Sequence, residues 1–222
     1  MKKRSLLFVI LTALVCGAVM ALVDGVLKPG YAVKSVIKIA LFSLLPLAVS
    51  LLDKNIVYLP LLRPKRKGIL PALFLGIGIY GLIVGGYFFV SPIFDFSGIA
   101  SSLTSDVGVT AENFLWVSLY ISFVNSFLEE FFFRGFVFTN LKKASGRGFA
   151  YGFSALIFAF YHVAMMIGWF SPLLFVLVVL GLVAGGVIFN FLNEKMDTIY
   201  CSWLTHMFAN FAINTIGFIL LG

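Results

Sequence analysis

The chain has 222 residues, 61% of them hydrophobic and only 11% charged, a balance that excludes an ordinary water-soluble globular domain. Its formal charge of +7 does not point to nucleic acid, because the basic residues are scattered over short connections with no recognisable binding module among them; anionic lipid headgroups are the fitting partner. Cys16 and Cys201 both fall in apolar runs, so neither a disulfide framework nor a cysteine metal site is expected.

A helix needs near 20 apolar residues to cross a ~30 Å hydrocarbon core. On that measure the sequence predicts an all-α, polytopic membrane bundle of about seven transmembrane helices, forming one domain over residues 1–222. The first runs from Leu6 to Val23 behind Lys2, Lys3 and Arg4. Its start resembles a signal peptide, but the apolar run is long and no clear small-residue cleavage site follows, so it reads as a retained span. The second covers Val36 to Leu52, with Pro46 as a candidate kink. Between Asp53 and Lys67 an apolar stretch, Ile56 to Leu62, meets the densest basic cluster. That segment is expected to anchor topology or to lie along the membrane interface.

The third span is Ile69 to Val90, and the loop Ser91 to Asn113 that follows carries only Asp95, Asp106 and Glu112 as charges. Spans four to seven are Phe114 to Phe138, Phe149 to Met166, Pro172 to Leu192 and Thr198 to Leu221. Gly81 and Gly85, like Gly181 and Gly185, have the small-xxx-small spacing that lets helices approach closely, and are expected to pack within the bundle.

Positively charged loops stay cytoplasmic. Lys2, Lys3 and Arg4, then Lys54, Arg63, Lys65, Arg66 and Lys67, then Lys142, Lys143 and Arg147, and finally Lys195 share one side if seven spans alternate; Lys28, with Lys34 and Lys38 at the border of span two, falls on the other. The expectation is a multi-pass protein of the cell membrane with its amino terminus in the cytoplasm and its carboxyl terminus outside.

Span four carries Glu129, Glu130 and Arg134. Each would cost roughly 2.5 to 3.5 kcal/mol facing lipid at a helix centre, so they must face the protein interior. Glu130 and Arg134, four apart, share a helical face with the acid first, and Glu129 is turned about 100° from Glu130. One acid can therefore be held by Arg134 while the other faces a cavity. The two histidines of the chain, His162 and His206, lie in spans five and seven, with Asn210 one turn beyond His206. At 1.5 Å per residue from the cytoplasmic helix ends, Glu129, His162, His206 and Asn210 lie at depths of about 16, 20, 12 and 18 Å, within one layer.

A carboxylate, two imidazoles and an amide suit the attack of water on a carbonyl, with the acid as general base and His or Asn donating to the oxyanion. Glu129, His162 and His206 also make a His-His-carboxylate set of the kind that holds Zn2+ with one open position. Both mechanisms are open to these residues. No H-E-x-x-H pair, G-x-S-x-G elbow or pair of spans each carrying an aspartate is present. Polar glue between helices and a proton-coupled transporter are the competing uses of such groups.

These residues resemble the motifs of the CAAX-protease and bacteriocin-processing family of intramembrane proteases, also called Abi proteins. Glu129, Glu130, Phe131, Phe132, Phe133 and Arg134 stand as its E-E-x-x-x-R; Phe158 to His162 as F-x-x-x-H; His206 to Asn210 as H-x-x-x-N. The resemblance covers about residues 114–210. It implies an intramembrane endopeptidase acting on a membrane-associated peptide or protein, prenylated or leader-like. It further implies that Glu129 activates water, His162 holds that water or a metal, His206 and Asn210 stabilise the oxyanion, and Glu130 with Arg134 organises the site. A non-catalytic bacteriocin-immunity protein is the alternative within the same resemblance.

Overall fold

A computed structural model describes residues 3–57 and 59–221, so Lys2 and Tyr58 of the segments above lie outside it. Every regular element among the described residues is helical. Six helices have the length and composition to cross a membrane: α1 (Lys3–Leu27), α2 (Tyr31–Leu52), α3 (Ile69–Val90), α6 (Arg147–Met166), α7 (Pro172–Met196) and α8 (Ile199–Leu221). Between α3 and α6 come α4 (Ser97–Val107) and α5, a continuous helical run over 114–145. The outer loop predicted as irregular thus contains a helix.

The fourth predicted span is α5, longer than expected and set apart by its surroundings. From Leu128 to Leu141 every residue is buried, including Glu129, Glu130 and Arg134. A helix buried on all sides needs no amphipathic stripe, and here the core side supplies partners for its charges. Around it the bundle presents apolar side chains outward, Phe89 at 78% and Leu82 at 75% exposure, a surface suited to lipid and unsuited to water.

Two stretches of α5, Tyr120–Asn125 and Glu130–Phe138, are wound as π-helix. Such turns are concentrated at functional sites, and these two bracket Glu129. Gly146 ends the helix at φ 99°, ψ 166°, a conformation open essentially to glycine, and lets α6 begin at once in a new direction. In α2 the chain passes through a further π turn, Ala40–Leu44, immediately before Pro46. The missing N–H of proline is thereby absorbed by a change of winding rather than by a broken helix.

Several sequence expectations are corrected. Gly81, Gly85 and Gly181 have open space where a Cβ would stand; close approaches occur at other glycines, among them Gly76 against Phe208, Gly186 against Ala155 and Gly217 against Phe114. The small-xxx-small spacing recorded which glycines share a face, but not which face meets a neighbour. Within Asp53 to Lys67, Ile56 and Leu61 are buried in the core, the Val57 N–H donates to Asn140 Oδ1 at 3.0 Å, and the Thr198 hydroxyl donates to the Leu61 and Arg63 carbonyls. Through these contacts the segment packs against the bundle. Lys34 and Lys38 are buried as well, each against an acid.

Candidate intramembrane polar site

Helices α2, α5, α6 and α8 bring one polar cluster together. Its centre is Glu129, 1% exposed. Oxygen Oε1 accepts from Asn125 Nδ2 at 2.8 Å and from Lys38 Nζ at 3.2 Å, with the Tyr161 hydroxyl at 3.5 Å. Oxygen Oε2 has no hydrogen-bond partner among the described residues; it faces His162 Nε2 at 3.6 Å and His206 Nε2 at 3.7 Å.

The opposite side of each imidazole fixes its tautomer. His162 Nδ1 lies 2.7 Å from the Phe158 carbonyl, which can only accept, so Nδ1 carries the hydrogen. His206 Nδ1 lies 2.9 Å from Glu130 Oε1 and donates in the same way. In the neutral imidazoles both Nε2 atoms then present lone pairs toward Glu129.

Arg134 Nη1 approaches the same oxygen, Glu130 Oε1, at 3.2 Å, with both side chains fully buried. The guanidinium is sandwiched by aromatic rings, 4.2 Å over Phe158 and 4.9 Å over Phe189, an arrangement that suits its weak hydration and planar charge. Phe189 stacks on His206 at 4.9 Å, and Phe158 meets His162 edge-on at 4.7 Å. The same aromatic pair thus contacts both the cation and the imidazoles.

Five of the residues singled out by sequence, Glu129, Glu130, Arg134, His162 and His206, therefore meet through direct contacts. Asn210 stands apart from the carboxylates: its amide donates to the Ile121 carbonyl at 3.1 Å, on the π turn before Glu129. One turn on, Asn214 Nδ2 donates to the Ser118 carbonyl and to Ser122 Oγ at 3.1 and 2.9 Å. The two amides pin α8 to the irregular part of α5.

Lys38, Asn125, Tyr161, Phe158 and Phe189 were not among the predicted site residues. A signal for Lys38 did exist, since two buried acids and one Arg leave a carboxylate without a counter-ion and Lys38 lies inside an apolar run. Phe158 opens the F-x-x-x-H motif, but nothing in the sequence marked Phe189 among 26 phenylalanines. Two buried serines of spans five and seven bond to the backbone: Ser154 donates to the Phe133 carbonyl and Ser202 to that of Ile199.

Glu129, His162 and His206 are the side chains that a zinc ion would use. The Lys38 ammonium on the same carboxylate already supplies its counter-charge and would repel a dication. Among the described residues no three His, Cys, Asp or Glu side chains are placed to hold a metal ion.

The fold and this buried acid–imidazole cluster define a polytopic membrane protein with a polar site enclosed in its helix bundle. Residues 111–212, just under half of the chain and all of the site except Lys38, match the family model for Rce1-like proteins, described as type II CAAX prenyl endopeptidase Rce1-like. Over that segment the chain is similar to CAAX prenyl endopeptidases of the Rce1-like type. Comparison with curated proteins and with solved structures returned no match.

Proposed function

We propose that the protein is a CAAX-type intramembrane endopeptidase that hydrolyses a peptide bond in a membrane-associated substrate, prenylated or leader-like, with Glu129 activating the attacking water. The observation that carries this reading is the convergence of two imidazole nitrogens on the one oxygen of Glu129 that has no other partner. Three lone-pair atoms so arranged are satisfied by a molecule that brings hydrogens. A water about 2.8 Å from Oε2 and from one Nε2 donates to both and keeps a lone pair for attack.

In this scheme the water oxygen adds to the substrate carbonyl and its proton passes to Glu129. The developing oxyanion accepts a hydrogen bond from the amide of Asn210, one of whose two N–H groups remains after its bond to Ile121. His206, anchored through Nδ1 to Glu130, orders its Nε2 beside the same water. When the intermediate collapses, the C–N bond breaks and the proton on Glu129 goes to the leaving amine. Arg134 pairs with Glu130 and keeps it in place.

The orientation belongs to the same proposal: amino terminus in the cytoplasm, carboxyl terminus outside, from the distribution of Lys and Arg. The test is cleavage of a quenched fluorogenic peptide, prenylated on a cysteine near its carboxyl end, by protein reconstituted in lipid nanodiscs. The parent cleaves it, and Glu129→Ala and His206→Ala, inserted normally, do not. Retained cleavage by both variants overturns the assignment.

A further inference from the structure

Lys38 lies on α2, far outside the matched segment, and yet touches the atom on which the proposed chemistry depends. We infer that Lys38, together with Asn125, is a positioning residue for the Glu129 carboxylate: it holds Oε1 and so turns Oε2 toward His162 and His206. The inference rests on the reading of Glu129 as general base.

A free glutamate side chain in a cavity can rotate about its last torsion and exchange its two oxygens. Here the exchange is blocked, because Oε1 is engaged by Lys38 and Asn125 with Tyr161 close by, while no such group meets Oε2. The Lys38 ammonium has three hydrogens, and the surroundings use its directions fully. It donates to Asn125 Oδ1 and to Glu129 Oε1, and it lies 4.9 Å over the ring of Tyr161. Asn125 closes the triangle, accepting from Lys38 through Oδ1 and donating to Glu129 through Nδ2. That double role also fixes which end of its amide is which.

The next turn of α2 makes the assignment selective. Lys34, four residues earlier on the same face, is buried against an acid of its own, Asp24 at 2.8 Å. Two cations and two acids are sorted into separate pairs, so Lys38 is not merely neutralising the nearest charge. It is 8% exposed, and its pair with Glu129 joins the amino-terminal helices to the matched segment.

The experiment uses the reconstituted full chain and the prenylated fluorogenic peptide, with kcat and KM determined separately. Lys38→Met is expected to lower kcat on the order of 10²-fold, the scale of a misplaced catalytic group, with KM within about twofold. Lys38→Arg, which keeps a cation in reach, is expected to recover at least tenfold of that loss. Asn125→Ala leaves no buried charge unpaired, so it serves where Lys38→Met fails to fold, and it is expected to lower kcat about tenfold at unchanged KM. Full kcat in Lys38→Met, or in Asn125→Ala where Lys38→Met does not fold, overturns the positioning role. So does a change confined to KM, or a loss that Lys38→Arg does not repair. Parent protein that fails to cleave, or Glu129→Gln that still cleaves, overturns the general-base reading and the role of Lys38 with it.

Discussion

Replacing Arg134 by Met should be among the most destabilising single changes in this protein. Arg134 and Glu130 are both fully buried and 3.2 Å apart, and the guanidinium is enclosed by Phe158 and Phe189. Removing one member of a buried ion pair leaves the other uncompensated, at about 3–5 kcal/mol. Here His206 Nδ1 still donates to Glu130, which places the expectation near the lower end, about 3 kcal/mol. For a chain of this size each kcal/mol corresponds to roughly 2–4 °C in Tm. Arg134→Met should therefore melt about 6–12 °C below the parent, measured by thermal unfolding in a single detergent. The double variant Arg134→Met with Glu130→Gln should recover most of the loss, because no charge is then stranded. A single variant melting within about 2 °C of the parent, or a double variant worse than the single, would refute the view that these two charges stabilise the core only as a pair.

Other consequences can be measured independently. At Gly186 a Cβ would stand 2.9 Å from the Ala155 Cα, whereas at Gly81 it would meet nothing within 4 Å; Gly186→Ala should cost about 1–3 kcal/mol and Gly81→Ala within about 0.5 kcal/mol, by denaturation in one detergent. Asn214→Ala strips the Ser118 carbonyl and Ser122 Oγ of a donor and should cost about 1–3 kcal/mol, with Asn214→Asp no better because a carboxylate cannot donate. At the end of α2 the Ser5 hydroxyl, followed by the N–H groups of Asn55, holds the Asp53 carboxyl below the usual carboxylate range. The tether is therefore present above the ordinary carboxylate range and lost as pH falls through the lowered value. An NMR titration of Asp53 should move upward in Ser5→Ala, and an unchanged midpoint would dismiss the Ser5 contact. Exhaustive chelation followed by metal analysis should leave peptide cleavage intact, while loss of activity restored by zinc would contradict the reading of the Lys38–Glu129 pair.

The helices were legible because membrane crossing imposes one rule, a run of about 20 apolar residues, and the sequence obeys it six times. Span three was read at its observed limits, Ile69–Val90. Helix α5 was legible for the opposite reason: Glu129, Glu130 and Arg134 had no business in a lipid-facing run, so interior partners had to exist. What the sequence did not show is how those partners divide. Spacing put Glu130 with Arg134, as observed, but a 3.6-residue period could not anticipate the two π stretches that set the phase of Glu129. Depth counting grouped Asn210 with the other polar residues, but depth carries no azimuth and could not show that its amide also donates to a π-turn carbonyl. Lys34 and Lys38 were misplaced because a lysine near a helix end normally snorkels; here Asp24 and Glu129 wait on neighbouring helices, a pairing visible only in three dimensions.

The most direct test of the water-activating arrangement is an experimental density map of the protein in lipid, at a resolution that shows ordered solvent. The account predicts a water within about 2.6–3.2 Å of Glu129 Oε2 and of at least one of the two Nε2 atoms, and no such water in Glu129→Leu. Imidazoles turned away from Glu129, or Oε2 buried against apolar side chains in the parent, would contradict it.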